Sequence, residues 1–363
     1  MSANKLYCAI GEEATRGTAE SSTVGFIPLT SSAFPSYEPS DERRGEFRGE
    51  ESSLGDIAMR RLSQKWSWPM EFNFFTEAGS TAGMVGTLLK HFFGKATSAQ
   101  NGSTGQYYHM LYPVYNPYDA SNLGTKALTN NMNASEGDTV KNNAWEGGRI
   151  SSLTFTQEVG QLLKVSAQFM GQKKVASGTA IATPTFPAEN LRCDYADLTC
   201  YYGTITRTGT APNYTDFLFG SATSFCPDNY TLTIENGLTD NLQLCGADYP
   251  TKSNYGKFKA TLSFKIDYTD PASGFSSVDE LNAWYAANSQ TNFFFHYDTG
   301  TTAGTGDNHQ LYIDLPVMQR MGGSPEFSLE TDPSITLNYE ADFDTATTEY
   351  LVGIMLKNTA SAV

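Results

Sequence analysis

"KWSWPMEFNF", Lys65 to Phe74, decides the fold class. Trp66, Trp68, Met70, Phe72 and Phe74 fall on one face of an extended chain, and Lys65, Ser67, Glu71 and Asn73 on the other. Side chains of a strand alternate with a period of two, so one face of this strand enters a core and the other meets water. Pro69 stands on the polar side, where its missing N–H calls for an edge or a bulge. The two tryptophans share the apolar face, which reads as core or subunit interface rather than a sugar-stacking platform.

The same alternation recurs along the chain. "KFKATLSFKIDY", Lys257 to Tyr268, turns Phe258, Ala260, Leu262, Phe264, Ile266 and Tyr268 inward. Shorter runs place Leu153 with Phe155, Leu163 with Val165, Ala167 and Phe169, and Tyr230 with Leu232 and Ile234. Leu311, Ile313 and Leu315 form another face, as do Ile335, Leu337, Tyr339 and Phe343. One buried and one polar face is the mark of antiparallel sheets in a sandwich or barrel, so the chain is read as mainly β.

Two stretches read as helices. "AGMVGTLLKHFFG" sets Met84, Leu88 and Phe92 on one stripe and ends at Gly94, suited to a left-handed C-terminal cap. "SSVDELNAWYAANS" opens with a capping box from Ser277 to Glu280 and aligns Val278, Leu281 and Tyr285.

Composition narrows the function. With 363 residues, 39% hydrophobic and 17% charged, the chain can pack a large β domain or two ordinary ones. A net charge of −15 repels polyanions, which disfavours ordinary nucleic-acid binding. No secretory signal and no run of about 18 apolar residues is visible, so a soluble chain made in a cytoplasm is expected, without membrane insertion. Five scattered cysteines, Cys8, Cys193, Cys200, Cys226 and Cys245, read as reduced thiols rather than a disulfide framework.

The usual catalytic signatures are missing: no G-x-S-x-G elbow, phosphate loop, dinucleotide fingerprint or H-E-x-x-H. His91, His109, His296 and His309 are far apart and sit among aromatics, as structural histidines do. Cys193 and Cys200 lack the spacing of a zinc hook. Carboxylates in "DLPVMQRM" and "NYEADFDTATTE" are explained by a solvated strand face as readily as by a glycosidase pair. No enzyme and no cofactor is expected.

The order of elements carries more. The first half reads strand, polar loop, aromatic strand, helix, aromatic strand and two paired strands, and the second half repeats that order. A duplicated fold is expected, residues 1–175 and 176–363, joined near "GQKKVASGTAIATPTFPAEN". Residues 98–143, rich in Asn, Gly, Ser and Thr, read as a surface insertion with short strands of its own.

Over nearly its whole length the chain resembles a major tail tube protein of long-tailed bacteriophages. The resemblance rests on "GEEATRGTAESSTVGFIPLTSSAFPSYEPSDERRGEFRGE" and on the aromatic strand leading to "GMVGTLLKHFFG". It rests also on "NYTLTIENGLTDNLQLCG" followed by "GKFKATLSFKIDY" and a short helix. It implies a structural virion protein of two tandem tube-like β-sandwich or half-barrel domains, each with one short α-helix. Strands from every subunit would close an inter-subunit β-barrel around a channel for genome delivery. The partners implied are further copies of the chain, three per pseudo-sixfold ring, with six as the alternative. Tape-measure, tail terminator and tail-tip or baseplate proteins are implied too, with transient, non-specific passage of DNA. The competing reading is another virion β-protein, from the tail tip, a decoration or a carbohydrate-binding module. A carbohydrate-active enzyme ranks last.

Within that frame "ERRGEFRGEESSLGDIAMRR", Glu42 to Arg61, reads as part of an inter-ring stacking loop over residues 38–63. Arg43, Arg44, Arg48, Arg60 and Arg61 alternate with Glu46, Glu50, Glu51 and Asp56, offering bidentate pairs to a neighbour. Phe47, Leu54, Ile57 and Met59 supply apolar anchors that a purely solvated loop does not need. An acidic lumen, which would let DNA slide without adhering, is a further expectation.

Overall fold

A computed structural model describes the chain except residues 1–5, 32, 44–58, 77–83, 137–138, 176–177, 182–183, 245, 287–289 and 329–331. The first half contains β1 (Leu6–Glu13), β2 (Val24–Ile27), β3 (Ser36–Arg43), β4 (Met59–Asn73) and helix α1 (Met84–Phe93). It continues through β5 (Ala96–Gln100), β6 (Tyr107–Leu111), β7 (Ala127–Glu136), β8 (Thr139–Glu158), β9 (Lys164–Gly171), β10 (Lys173–Lys174) and β11 (Gly178–Thr179).

The second half contains β12 (Leu198–Gly203), β13 (Thr206–Thr210), β14 (Asn213–Leu218), β15 (Ala222–Phe225), β16 (Asn229–Glu235), β17 (Thr239–Asn241) and β18 (Lys252–Asn254). It ends with β19 (Lys259–Asp267), helix α2 (Ser277–Ala286), β20 (Thr291–Thr302), β21 (Asn308–Glu326), β22 (Ser334–Ala341) and β23 (Gly353–Asn358).

Every described pairing is antiparallel. Across the middle of the molecule the strands lie in the order β3, β4, β9, β8, β16, β19, β22, β21. One residue row runs through six of them: Phe72, Val165, Phe155, Leu232, Leu262 and Tyr339, all buried. The adjacent row carries Glu71, Ser166, Thr154, Thr233, Thr261 and Glu340 on the other face. Alternation read from sequence thus becomes a continuous apolar face and a continuous polar one. Helix α1 buries Val85, Leu88, Leu89, Phe92 and Phe93 in the same core. Full burial of each such side chain contributes about 1.5–3 kcal/mol.

The pairings fall into two series of the same order. In the first half β1 pairs with β2 and β7, β7 with β8, β8 with β9, β9 with β4, and β4 with β3. In the second half β12 pairs with β15 and β20, β20 with β21, β21 with β22, β22 with β19, and β19 with β16. Even the irregularities match: β8 shifts register against β9 at Ile150/Ser152, and β21 against β22 at Arg320/Gly322.

Several local readings need correction. The cap of α2 is Ser276, whose Oγ accepts the Asp279 N–H at 2.9 Å, while the Ser277 hydroxyl donates to the Asp267 carbonyl at 2.7 Å. Glu280 does not close a capping box, because a buried arginine claims it. Tyr285 is 69% exposed, and Trp284 takes its place against the core, three residues after Leu281. Phe343 lies beyond the end of β22 and is 55% exposed. The alternation around Leu311, Ile313 and Leu315 conceals a strand buried on both faces. Gln310, Tyr312 and Asp314 are covered too, because a second core of Phe217, Phe294, Tyr312, Tyr350 and Met355 lies on their side.

Pro69 fits the predicted position. The β3 ladder ends at Ser36↔Ser67 and an isolated bridge resumes at Leu29↔Phe72, so no partner on that side asks for its missing donor. Gly94 caps α1 with φ of 91°, and its N–H donates to the Lys90 carbonyl at 2.7 Å. Residues 98–143 are not confined to the surface: β6 pairs with β23, and β7 with β1 and β8.

Candidate functional site

An assembly protein acts through its edges and its exposed apolar and charged groups, so these form the candidate site. Most of the predicted stacking loop, including Arg44, Glu46, Phe47, Arg48, Glu50, Glu51, Leu54, Asp56 and Ile57, lies outside the described residues. Arg43 ends β3, and Met59, Arg60 and Arg61 begin β4, so the loop springs from a strand pair. That pair is laced by charge. The Arg61 guanidinium donates to Asp41 at 3.0 Å and to the Tyr37 hydroxyl at 2.9 Å, and Lys65 meets Glu38 at 3.0 Å. Tyr37 donates in turn to Gln64, and Gln64 to Asp248, which ties the base of the loop to the second half. The exposed ion pairs contribute about 0–1 kcal/mol each and serve register more than stability.

Beside this pair runs an open edge. Among the described residues, β3 has β4 alone as ladder partner, and β21 from Gly322 to Glu326 has β22 alone. Exposed apolar side chains stand along both: Phe34 at 42% beside β3, and Met321 at 54% and Phe327 at 72% on and after β21. Exposed strand edges with apolar flanks invite strand addition from another chain.

The polar face of the central sheet is rich in hydroxyls and amides. Its regular register carries Glu38, Glu71, Glu158, Glu235, Asp267, Glu326 and Glu340 against Lys65, Lys164, Lys259 and Lys265, an excess of three carboxylates. Lys164 meets Glu71 at 2.8 Å and Lys259 meets Glu340 at 3.5 Å. This face is therefore mildly acidic, with each of its four lysines paired to a carboxylate.

Several other polar groups that chemistry could have used are bound into the architecture. Asp314, fully buried, accepts two hydrogen bonds from Arg207 at 2.7 and 2.8 Å and one from the Tyr350 hydroxyl at 2.5 Å. Burial alone would lower the Arg207 pKa, but Asp314 beside it raises it. Glu280 accepts from Arg320 at 2.8 and 2.7 Å and from Tyr339 at 3.0 Å, which fastens α2 to β21 and β22. His91 meets Glu12 at 2.9 Å, His109 lies between Ser98 and Asn358, and His296 stacks on Tyr312 at 4.4 Å. Burial lowers the pKa of all four histidines. Cys8, Cys193, Cys200 and Cys226 are free thiols, and among the described residues no group of His, Cys, Asp and Glu is arranged to hold a metal. No described helix is long and apolar enough to cross a membrane.

The expected loop 38–63 is strand at both ends, in β3 and β4, and the two open edges, which depend on pairings between distant segments, were not expected. The exposed Phe34, Met321 and Phe327 are their only local trace. A family model described as phage tail tube protein matches residues 3–344 of the chain. No curated protein matches it.

Proposed function

Since the chain belongs to the phage tail tube protein family, a structural component of the virion tail and not an enzyme, we propose that three copies close one ring. Each copy supplies two tandem tube-like domains, residues 1–175 and 176–363. The two series of pairings, matched down to the register shifts at Ile150/Ser152 and Arg320/Gly322, carry this reading. A chain that contains the pairing scheme twice completes a pseudo-sixfold ring with half the copies that a single-scheme chain needs.

The central sheet is the segment each chain adds to a closed inter-subunit barrel, which would remove its open edges. Its polar face lines the channel. A mildly acidic lining of threonine, serine and asparagine, with Lys65, Lys164, Lys259 and Lys265 each paired to a carboxylate, attracts no phosphate, so DNA passes without adhering. The segment that joins β3 to β4, with the strand ends at its base, reaches the adjacent ring, where Arg43, Arg44, Arg48, Arg60 and Arg61 meet carboxylates. Stacking contacts do not close, and so extend a tube. The ends of that tube meet the tail terminator and the tail-tip or baseplate proteins, and the tape-measure protein occupies its bore during assembly.

Expression of the full chain tests the reading. Rings or tubes in negative stain are expected, and a chain that stays monomeric at high concentration, with the tail initiator supplied, would contradict it.

A further inference from the structure

Inside the chain, the two series of pairings meet at one junction. β8 lies against β16, with Leu153 opposite Ile234, Thr154 opposite Thr233 and Ser152 opposite Glu235. The hydroxyls of Thr154 and Thr233 are 3.3 Å apart. In the matched series β21 takes the place of β8, and β3 the place of β16. The shared register shift puts Leu153 level with Gly323 and Thr154 level with Ser324. On the other strand, Trp68↔Phe169 and Leu262↔Tyr339 are equivalent pairs. Tyr37↔Trp66 therefore corresponds to Ile234↔Ala260, and Ser36↔Ser67 to Thr233↔Thr261. These two counterpart strands, β3 and β21, do not meet within one chain, and each has an open side among the described residues.

We infer that β3 of one copy pairs with β21 of the next, repeating the β8–β16 junction between subunits. Tyr37 then lies opposite Gly323, Ser36 opposite Ser324 and Glu38 opposite Gly322. This rests on the ring reading above and adds to it which edges join, and in what register.

Hydrogen-bond parity agrees from two directions. The Asn236 N–H donates to the Ser151 carbonyl at 3.1 Å, so by the antiparallel alternation Ile234 and Leu153 exchange both backbone bonds. Their counterparts Tyr37 and Gly323 should do the same. Independently, the Gln64 N–H turns away from β3 to the Asp248 carbonyl at 2.7 Å. Pro39, opposite Gln64, therefore points its nitrogen away from β4, and Tyr37, two residues earlier, points its own N–H and carbonyl to the open side.

The prolines limit the junction. Pro35 and Pro39 flank Tyr37, and Pro325 follows Gly323 by two, so donors are missing just outside the central pair. Prolines on an edge suppress indiscriminate strand addition, and here they leave one short ladder centred on Tyr37 and Gly323. The exposed Phe34, Met321 and Phe327 lie along the same two edges, where the partner copy would cover them.

Ser36 and Ser324, both exposed, would form a non-hydrogen-bonded pair with Cα atoms about 4.5 Å apart. That is within the range of about 4.4–6.8 Å that a disulfide spans. The test is carried out in the full chain with Cys226 and Cys245 replaced by serine. Assembled rings of the Ser36→Cys/Ser324→Cys variant, once oxidised, should run as a ladder of covalent dimers and larger species on a non-reducing gel. A mixture of the two single-cysteine chains should give dimers and nothing larger. Thr154→Cys/Thr233→Cys, the same pair within one chain, should close without linking copies. If the double variant does not assemble, the mixture decides alone. Rings that yield only single-chain bands, while the Thr154/Thr233 control closes, would overturn this junction and leave the ring reading standing. A wild-type chain that forms no rings would overturn both.

Discussion

Asp314 sits in the run "DLPVMQRM", where a carboxylate on an alternating strand reads as solvated. Its partners Arg207 and Tyr350 are distant in sequence, so nothing local announces that it is buried. The pair is fully committed to structure, and removing one side leaves a charge without compensation. Asp314→Ala should cost about 3–5 kcal/mol in denaturant unfolding, whereas Tyr350→Phe, which removes one hydrogen bond to a charged group, should cost about 1.5–3 kcal/mol. Equal, small losses would show that the site tolerates water. The histidines make a second prediction. Each is held below its ordinary 6.5 by burial, with His296 lowered to about 4, so the unfolded chain binds protons first as pH falls. Their contribution to stability is complete above about pH 6.5 and is lost progressively below it, for His296 down to about pH 4. Glu12, which burial would raise but hydrogen bonds from His91 and Lys126 lower, acts in the same direction at lower pH. Melting temperature should be level from pH 8 to 7 and fall between 6.5 and 5; a rise over that interval would contradict the assignment.

At the scale of elements, alternation identified β4, β8, β9, β16, β19 and β22, where one face meets water, and missed short strands such as β12 and β14. It was least informative for β21, which is covered on both faces, and for the start of α2, where a neighbouring serine out-competed the expected cap. Helix α1 was legible to its last residue because Gly94 ends it for a steric reason. A Cβ there would lie 2.4 Å from the Pro117 backbone, at a φ that favours glycine. Gly94→Ala should therefore destabilise by about 1–3 kcal/mol, more than the usual change at an exposed helix end, and a neutral result in thermal melts would contradict the packing described. The loop rooted in β3 and β4 carries a different expectation. Arg43→Ala/Arg44→Ala/Arg48→Ala should leave the melting temperature within a few degrees of wild type and shorten or abolish tubes while single rings persist. Tubes of normal length and salt tolerance from that variant would remove the loop from the stacking interface.

For the whole molecule, the strand pairings form two series of the same order, and residue identity is not shared between them. Equivalent core positions keep an apolar side chain against the core and exchange its identity: Trp68 stands where Leu262 does, Met70 where Phe264 does, and Phe72 where the partly buried Ile266 does. A core demands volume and apolarity rather than a given residue, so matched positions can carry different side chains while pairings and register shifts correspond. The open edges of β3 and β21 escaped the sequence for a related reason, since an edge is defined by the absence of a neighbour elsewhere in the chain. The central claim is that one chain supplies two of the six units around the axis. End-on averages of assembled tubes test it most directly. Three copies per ring, each contributing two similar lobes, is the predicted result, and six copies per ring would contradict it.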